Sequence, residues 1–188
     1  MLEKEFKCTI SALKYKELIS EFDWDVTLVL KNHYYLDTEN VLLSNKINVR
    51  VRETIGQQTV LQVKTPVHNS SGYKVSKEHE EKIENPPFVI SGKRIEKITK
   101  IEISDVYHFG FLETKRMEFH FDKTNILCLD KSTYLGVIDY EVELEFSGEK
   151  VNKNLIKKLE SQGVDFDRKA HGKRSRFFKK VRDVLEKY

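Results

Sequence analysis

Residues Ile138 to Phe146 alternate without a break: Asp139, Glu141, Glu143 and Glu145 occupy the odd positions, and Ile138, Tyr140, Val142, Leu144 and Phe146 the even ones. Only an extended strand turns a period of two into two clean faces, because successive side chains point to opposite sides of a sheet. Four carboxylates in one row, about 7 Å apart, repel one another, and natural surfaces usually intersperse Lys or Arg to relieve this. A divalent cation would remove the penalty. Oxygen donors with no adjacent His or thiolate suit Mg2+ or Mn2+ rather than zinc.

Other strands repeat the pattern. Glu3, Glu5 and Lys7 share one face of Leu2 to Ile10, with Leu2, Phe6 and Cys8 on or near the other and Lys4 the exception. Arg50 and Arg52 alternate with Val49 and Val51, Gln62 and Lys64 with Leu61 and Val63, and Arg116 opposes Met117. A guanidinium holds phosphate oxygens bidentately and an ammonium acts as a point charge, so such cations facing carboxylates describe a pocket for a metal-bound polyanion. Any one strand could equally be the solvated face of a half-exposed sheet, or carry surface salt bridges worth about 0–1 kcal/mol each. The number of aligned strands argues against that.

Strand-like segments recur at Tyr34–Asp37, Lys46–Glu53, Gln57–Lys64, Tyr73–Lys82, Ile98–Phe109, Phe111–Phe121, Asn125–Asp130 and Ile138–Phe146. Turn signals at Ile55-Gly56-Gln57, Asn69-Ser70-Ser71-Gly72, His108-Phe109-Gly110 and Tyr134-Leu135-Gly136 make successive strands antiparallel neighbours. Ser11 caps a predicted helix with Leu13, Leu18, Ile19 and Phe22 on its apolar face. A short helix is possible between Asn85 and Gly92, and helical spacing returns at Val151–Gln162, stopped by Gly163, and at Arg174–Lys187. About eight strands imply a mainly antiparallel α+β fold, an eight-stranded closed tunnel-like barrel with flanking helices. With no repeat, linker or compositional seam, residues 1–188 read as one domain.

The 33 basic and 30 acidic residues leave a net charge of +3, so a general nucleic-acid binder is not indicated. No apolar window approaches the ~20 residues of a membrane helix. Two cysteines without a CxxC pair, and a start at Met1-Leu2-Glu3-Lys4-Glu5 rather than a signal sequence, give a reducing, cytoplasmic expectation. The six histidines show no regular spacing and read as scattered, Trp24 as packing near a helix end, and the polar face of the last helix as solvated.

Glu3-Lys4-Glu5-Phe6-Lys7 resembles the N-terminal ExExK signature of the CYTH superfamily, the triphosphate tunnel metalloenzymes. Tyr34-Tyr35-Leu36-Asp37-Thr38, Val49-Arg50-Val51-Arg52, Leu61-Gln62-Val63-Lys64-Thr65-Pro66, the acidic Glu78, Glu80 and Glu81, Thr114-Lys115-Arg116, Leu129-Asp130-Lys131 to Gly136, Asp139-Tyr140-Glu141-Val142-Glu143 and Lys173-Arg174-Ser175-Arg176 resemble its further segments in order. The resemblance implies a barrel that holds a triphosphate-containing small molecule with Mg2+ or Mn2+. It assigns Glu3, Glu5, Glu141 and Glu143 to the metal, with Asp139, Glu145, Asp130, Glu78 or Glu80 as further candidates. Lys7, Arg50, Arg52, Lys64, Arg116, Lys173 and Arg176 fall to the phosphates, and Glu5, Glu143 and Lys7 to catalysis. The register of Glu78 and Glu80 is open to a one-residue slip, which would exchange their faces. Hydrolysis of a tripolyphosphate or organic triphosphate is the leading expectation. An adenylate cyclase and a non-catalytic binding module are the alternatives, in a monomer or homodimer.

Overall fold

The computed structural model describes residues 2–68, 73–148, 151–166 and 171–187. The strands are β1 (Leu2–Ile10), β2 (Val26–Asp37), β3 (Asn48–Thr54), β4 (Val60–Pro66), β5 (Lys74–Lys82), β6 (Val89–Ile90), β7 (Val106–His120), β8 (Asn125–Tyr134) and β9 (Val137–Phe146). The helices are α1 (Ala12–Glu21), α2 (Val41–Ser44), α3 (Gly92–Thr99), α4 (Lys153–Ser161) and α5 (Lys173–Leu185). The sheet runs β2-β3-β4-β5-β1-β9-β8-β7-β6, and a further β2–β7 pairing closes eight of these strands into an antiparallel barrel, with β6 added on β7. No helix among the described residues is long and apolar enough to cross a membrane.

The backbone divides into two compact units. Unit 1 holds residues 29–68 and 75–113, and unit 2 holds 3–28, 69–74 and 114–188. In unit 2 the apolar parity of β8 and β9, Leu127, Leu129, Val142 and Leu144, packs with Met117 beneath Tyr15, Leu18 and Phe22 of the α1 region and Leu155 and Leu159 of α4. In unit 1, Val49, Val51, Leu61 and Val63 pack with Ile90, Ile95, Ile103 and Val106. In each unit the strands thus bury one face under apolar groups and keep the opposite parity polar. Burying one such Leu or Ile is worth about 2 kcal/mol.

Local signals act as the sequence implies at most ends. Ser11 Oγ accepts from Lys14 N at 3.1 Å, Asn152 Oδ1 caps α4, and Gly163 ends it with φ of 78°. Leu135 (φ 44°) and Gly136 (φ 76°) form the two-residue turn that sets Tyr134 against Val137. The Asn69–Gly72 turn signal lies outside the described residues.

Four expectations change. The buried face of α1 is Tyr15, Leu18 and Phe22, while Leu13 is 69% exposed, because the overlying sheet selects one stripe of a helix with apolar groups on two sides. The strand read at Tyr34–Asp37 starts earlier, at Val26, as the 12-residue β2. The stretch from Ile98 is not a strand at its start: α3 runs to Thr99 and β7 begins only at Val106. No turn breaks β7 at Gly110. His108 and Phe111 both bring their rings to His33, and the alternation of buried and exposed residues continues through Gly110. Gly110, at φ 153°, sits inside a continuous strand rather than at a reversal.

Candidate active site

The polar parity of unit 2 gathers acids and bases from β1, β7, β8, β9 and α5. Register sets Lys7 opposite Glu143 and Glu5 opposite Glu145 across β1–β9, and Asp130 opposite Glu141 across β8–β9. Asp130, Glu141 and Glu143 are all buried, and an oxygen from each lies within 4.8 Å of the other two. Three such carboxylates in a low dielectric would be untenable alone.

They are not alone. Lys7 Nζ donates to Glu143 at 2.9 Å and pairs with Glu5 at 2.6 Å. Arg116 grips Asp130 through Nε and Nη2, each at 2.8 Å, reaches Glu145 at 2.9 Å, and also bonds Glu143. From α5, Lys173 Nζ meets Asp130 at 2.7 Å, Glu141 at 2.5 Å and Glu143 at 2.9 Å, and Arg176 meets Asp139 and Glu141 at 2.7 and 2.8 Å. The row of four β9 carboxylates is therefore relieved by Lys7, Arg116, Lys173 and Arg176. From the sequence, a divalent cation would remove this penalty; in the structure counter-charges from other elements, rather than from between the acids, relieve it as well.

The charges set each proton. Burial would raise the Glu143 carboxyl, but Lys173, Lys7 and Arg116 hold it well below the usual range. Asp130 is likewise pulled down against its burial by Arg116 and Lys173. Glu141 goes the other way: burial, with Glu143 adding, raises it despite Lys173. Burial also raises Glu145. Lys7, Arg116 and Lys173 stay firmly charged, because their acids outweigh burial. Two neighbouring carboxyls of one row are thus driven in opposite directions, Glu143 down and Glu141 up.

Sequence reasoning ranked Asp130 below Glu3 and Glu5, yet Asp130 completes the three-carboxylate set with 0% exposure. Its signal was parity, because Asp130 alternates with Leu127 and Leu129 as Glu141 does with Val142. Glu5 joins through Lys7, while Glu3 stands at the start of β1, adding its negative charge at Glu145. Lys74 was missed. Burial and then the Lys7 charge lower its ammonium, while Glu5, Glu141 and Glu143 act against this. Its signal was its place at the head of β5 with the same parity as Glu78. Cys128 sits opposite Glu143 as a thiol that burial keeps protonated.

The remaining predicted residues lie in unit 1. Arg50 Nε donates to Gln62 Oε1 at 2.7 Å, and Arg52 Nε to Asn32 Oδ1 at 3.0 Å. Lys64 pairs with Glu78 at 3.4 Å, and Gln62 donates to Glu80. The ladder sets Glu78 against Lys64 and Glu80 against Gln62, which resolves their register onto the polar parity.

An all-oxygen, buried carboxylate set fits Mg2+ or Mn2+. One buried nitrogen, Arg176 Nη2, has no hydrogen-bond partner among the described residues, as suits a group waiting for an anion. Comparison with known proteins places the fold. The Bacillus subtilis protein named "Putative triphosphatase YjbK" is 28% identical over 98% of both chains. HpAC1 from Hippeastrum, named for adenylyl cyclase and described with a dominant triphosphatase activity, shares the fold at a TM-score of 0.72, with 19% identity over 94% of this chain and 95% of that one. The Mimivirus capping enzyme triphosphatase does so at 0.51, with 12% identity over 85% and 87%. The CYTH domain family matches residues 1–171, and the chain belongs to that family.

Proposed function

We propose that this protein hydrolyses a triphosphate with Mg2+ or Mn2+, on the polar face built from β1, β7, β8, β9 and α5. The observation that carries the reading is the buried set Asp130, Glu141 and Glu143, matched by Lys7, Arg116, Lys173 and Arg176. Without ligand, acids and bases neutralise one another. A metal and a polyphosphate bring complementary charge, so the two sets exchange partners, carboxylates taking the metal and cations the phosphates.

Asp130, Glu141 and Glu143 would hold the metal, with Glu3 and Glu5 from β1 and Asp139 or Glu145 beside them. When bound, the metal supplies Lewis-acid neutralisation of phosphate charge. Lys7, Arg116, Lys173 and Arg176 stabilise charge on the transferred phosphoryl group and the leaving diphosphate. By family resemblance Arg50, Arg52 and Lys64 are further phosphate-binding candidates, with Glu78 and, through Gln62, Glu80 as their neighbours. Glu5 or Glu143 accepts the proton of the attacking water.

The test incubates the protein with tripolyphosphate and with ATP, each with Mg2+ or Mn2+, and follows orthophosphate, pyrophosphate and cyclic AMP. Orthophosphate release from either substrate supports the reading. Cyclic AMP with pyrophosphate would establish the cyclase instead, and no turnover would leave a binding module.

A further inference from the structure

Unit 1 carries a second titratable cluster, which shares no residue with the carboxylate set. His33 Nε2 lies 2.6 Å from Glu53 Oε2, and His33 Nδ1 lies 3.0 Å from His108 Nε2. The three residues stand on β2, β3 and β7, and the β2–β7 pairing is the one that closes the barrel. His33 is 8% exposed. Tyr35 meets the His108 ring edge-on at 5.6 Å, and its hydroxyl is tied to Pro87 O at 2.7 Å. The His108 backbone N–H donates to Phe88 O at 2.8 Å. Neither imidazole is a loosely held surface ring.

Proton counting constrains such a chain. Glu53 accepts from the His33 Nε2–H, which leaves Nδ1 of a neutral ring bare to accept from the His108 Nε2–H. If His33 is an imidazolium, its Nδ1–H donates to a bare His108 Nε2. The chain is therefore complete with two neutral rings or with one charged one. With both rings charged, two N–H groups face each other across 3.0 Å, and like charges replace a hydrogen bond.

We propose that Glu53, His33 and His108 form a proton-counting clasp across the β2–β7 pairing, closed near neutral pH and released in weak acid when the second imidazole takes its proton. The surrounding charges favour that order. Glu53 faces His33 from β3, its Oε2 at 2.6 Å from His33 Nε2. Burial, then His33, then Lys31 push His108 below its ordinary 6.5. Tyr35, pushed up to about 12 by burial and by Glu53, stays neutral throughout. Because the folded value of His108 is depressed, its contribution is full above pH 6.5 and is lost as pH falls through the lower folded value. Lys31, whose ammonium sits 4.1 Å over the Phe111 ring, adds repulsion as charge accumulates.

The test is hydrogen–deuterium exchange of the full chain at pH 7.5 and pH 5.0, corrected for intrinsic exchange, in wild type and His108→Gln. In wild type, peptides covering 29–37 and 106–113 lose about tenfold protection on acidification relative to β8 and β9. His108→Gln keeps an uncharged hydrogen-bonding side chain and abolishes that difference. Unchanged wild-type protection, or the same loss in His108→Gln, overturns the clasp. NMR titration of the wild-type imidazoles is independent of how the variant folds: two separated steps agree with the clasp, and two independent, unshifted titrations contradict it.

Discussion

The two polar faces use their cations differently. In unit 2, Arg116 and Lys173 each bind three carboxylates, so the buried acids are neutralised by cations. In unit 1, Arg50 and Arg52 bond the amide oxygens of Gln62 and Asn32. An amide orients a guanidinium without cancelling its charge. The first face therefore ties ligand chemistry to stability, whereas on the second Arg50, held by the Gln62 amide, can change at little cost to the fold.

The largest expected effect follows from the first face. Arg116→Met leaves Asp130, Glu143 and Glu145 short of a counter-charge and should lower stability by about 3–5 kcal/mol, read by denaturant unfolding. A loss below about 1 kcal/mol would mean the acids find other partners or protons. The second face predicts the opposite balance. Arg50→Gln should raise the KM for tripolyphosphate roughly tenfold, about 1.4 kcal/mol, while shifting stability by less than about 0.5 kcal/mol. Equal losses in both quantities would erase the contrast between the faces. The smallest effect tests α1: Leu13→Ser should change stability by no more than about 0.5 kcal/mol, whereas Leu18→Ala, at 2% exposure, should cost about 2–5 kcal/mol.

Parity made much of this legible in the sequence. Glu3, Glu5 and Lys7, the β9 carboxylates, and Arg50 and Arg52 all fall on the polar side that a period of two assigns them. What parity cannot supply is the partner. Lys7 meets Glu143 from 136 positions away, and Lys173 reaches the acids from a helix whose polar face read as solvated. Such pairs exist only once strands and helices are placed. Gly110 misled for a related reason, because a glycine between apolar residues fits a turn or a strand interior with equal force until the neighbouring strand is known. His33 and His108 looked scattered because only the β2–β7 pairing brings residues 75 positions apart into one hydrogen bond.

The central claim is that Asp130, Glu141 and Glu143 hold a divalent metal by releasing their internal cations, and Mn2+ titration followed by electron paramagnetic resonance tests it most directly. In the presence of tripolyphosphate, wild type should bind Mn2+ more tightly as pH rises. The raised Glu141 carboxyl must lose its proton to become a ligand, so affinity falls as pH drops toward its titration. Asp130→Asn, with its fold checked by circular dichroism, should weaken binding at least roughly tenfold, about 1.4 kcal/mol. Mn2+ affinity that is independent of pH and unchanged in folded Asp130→Asn, Glu141→Gln and Glu143→Gln would contradict the account.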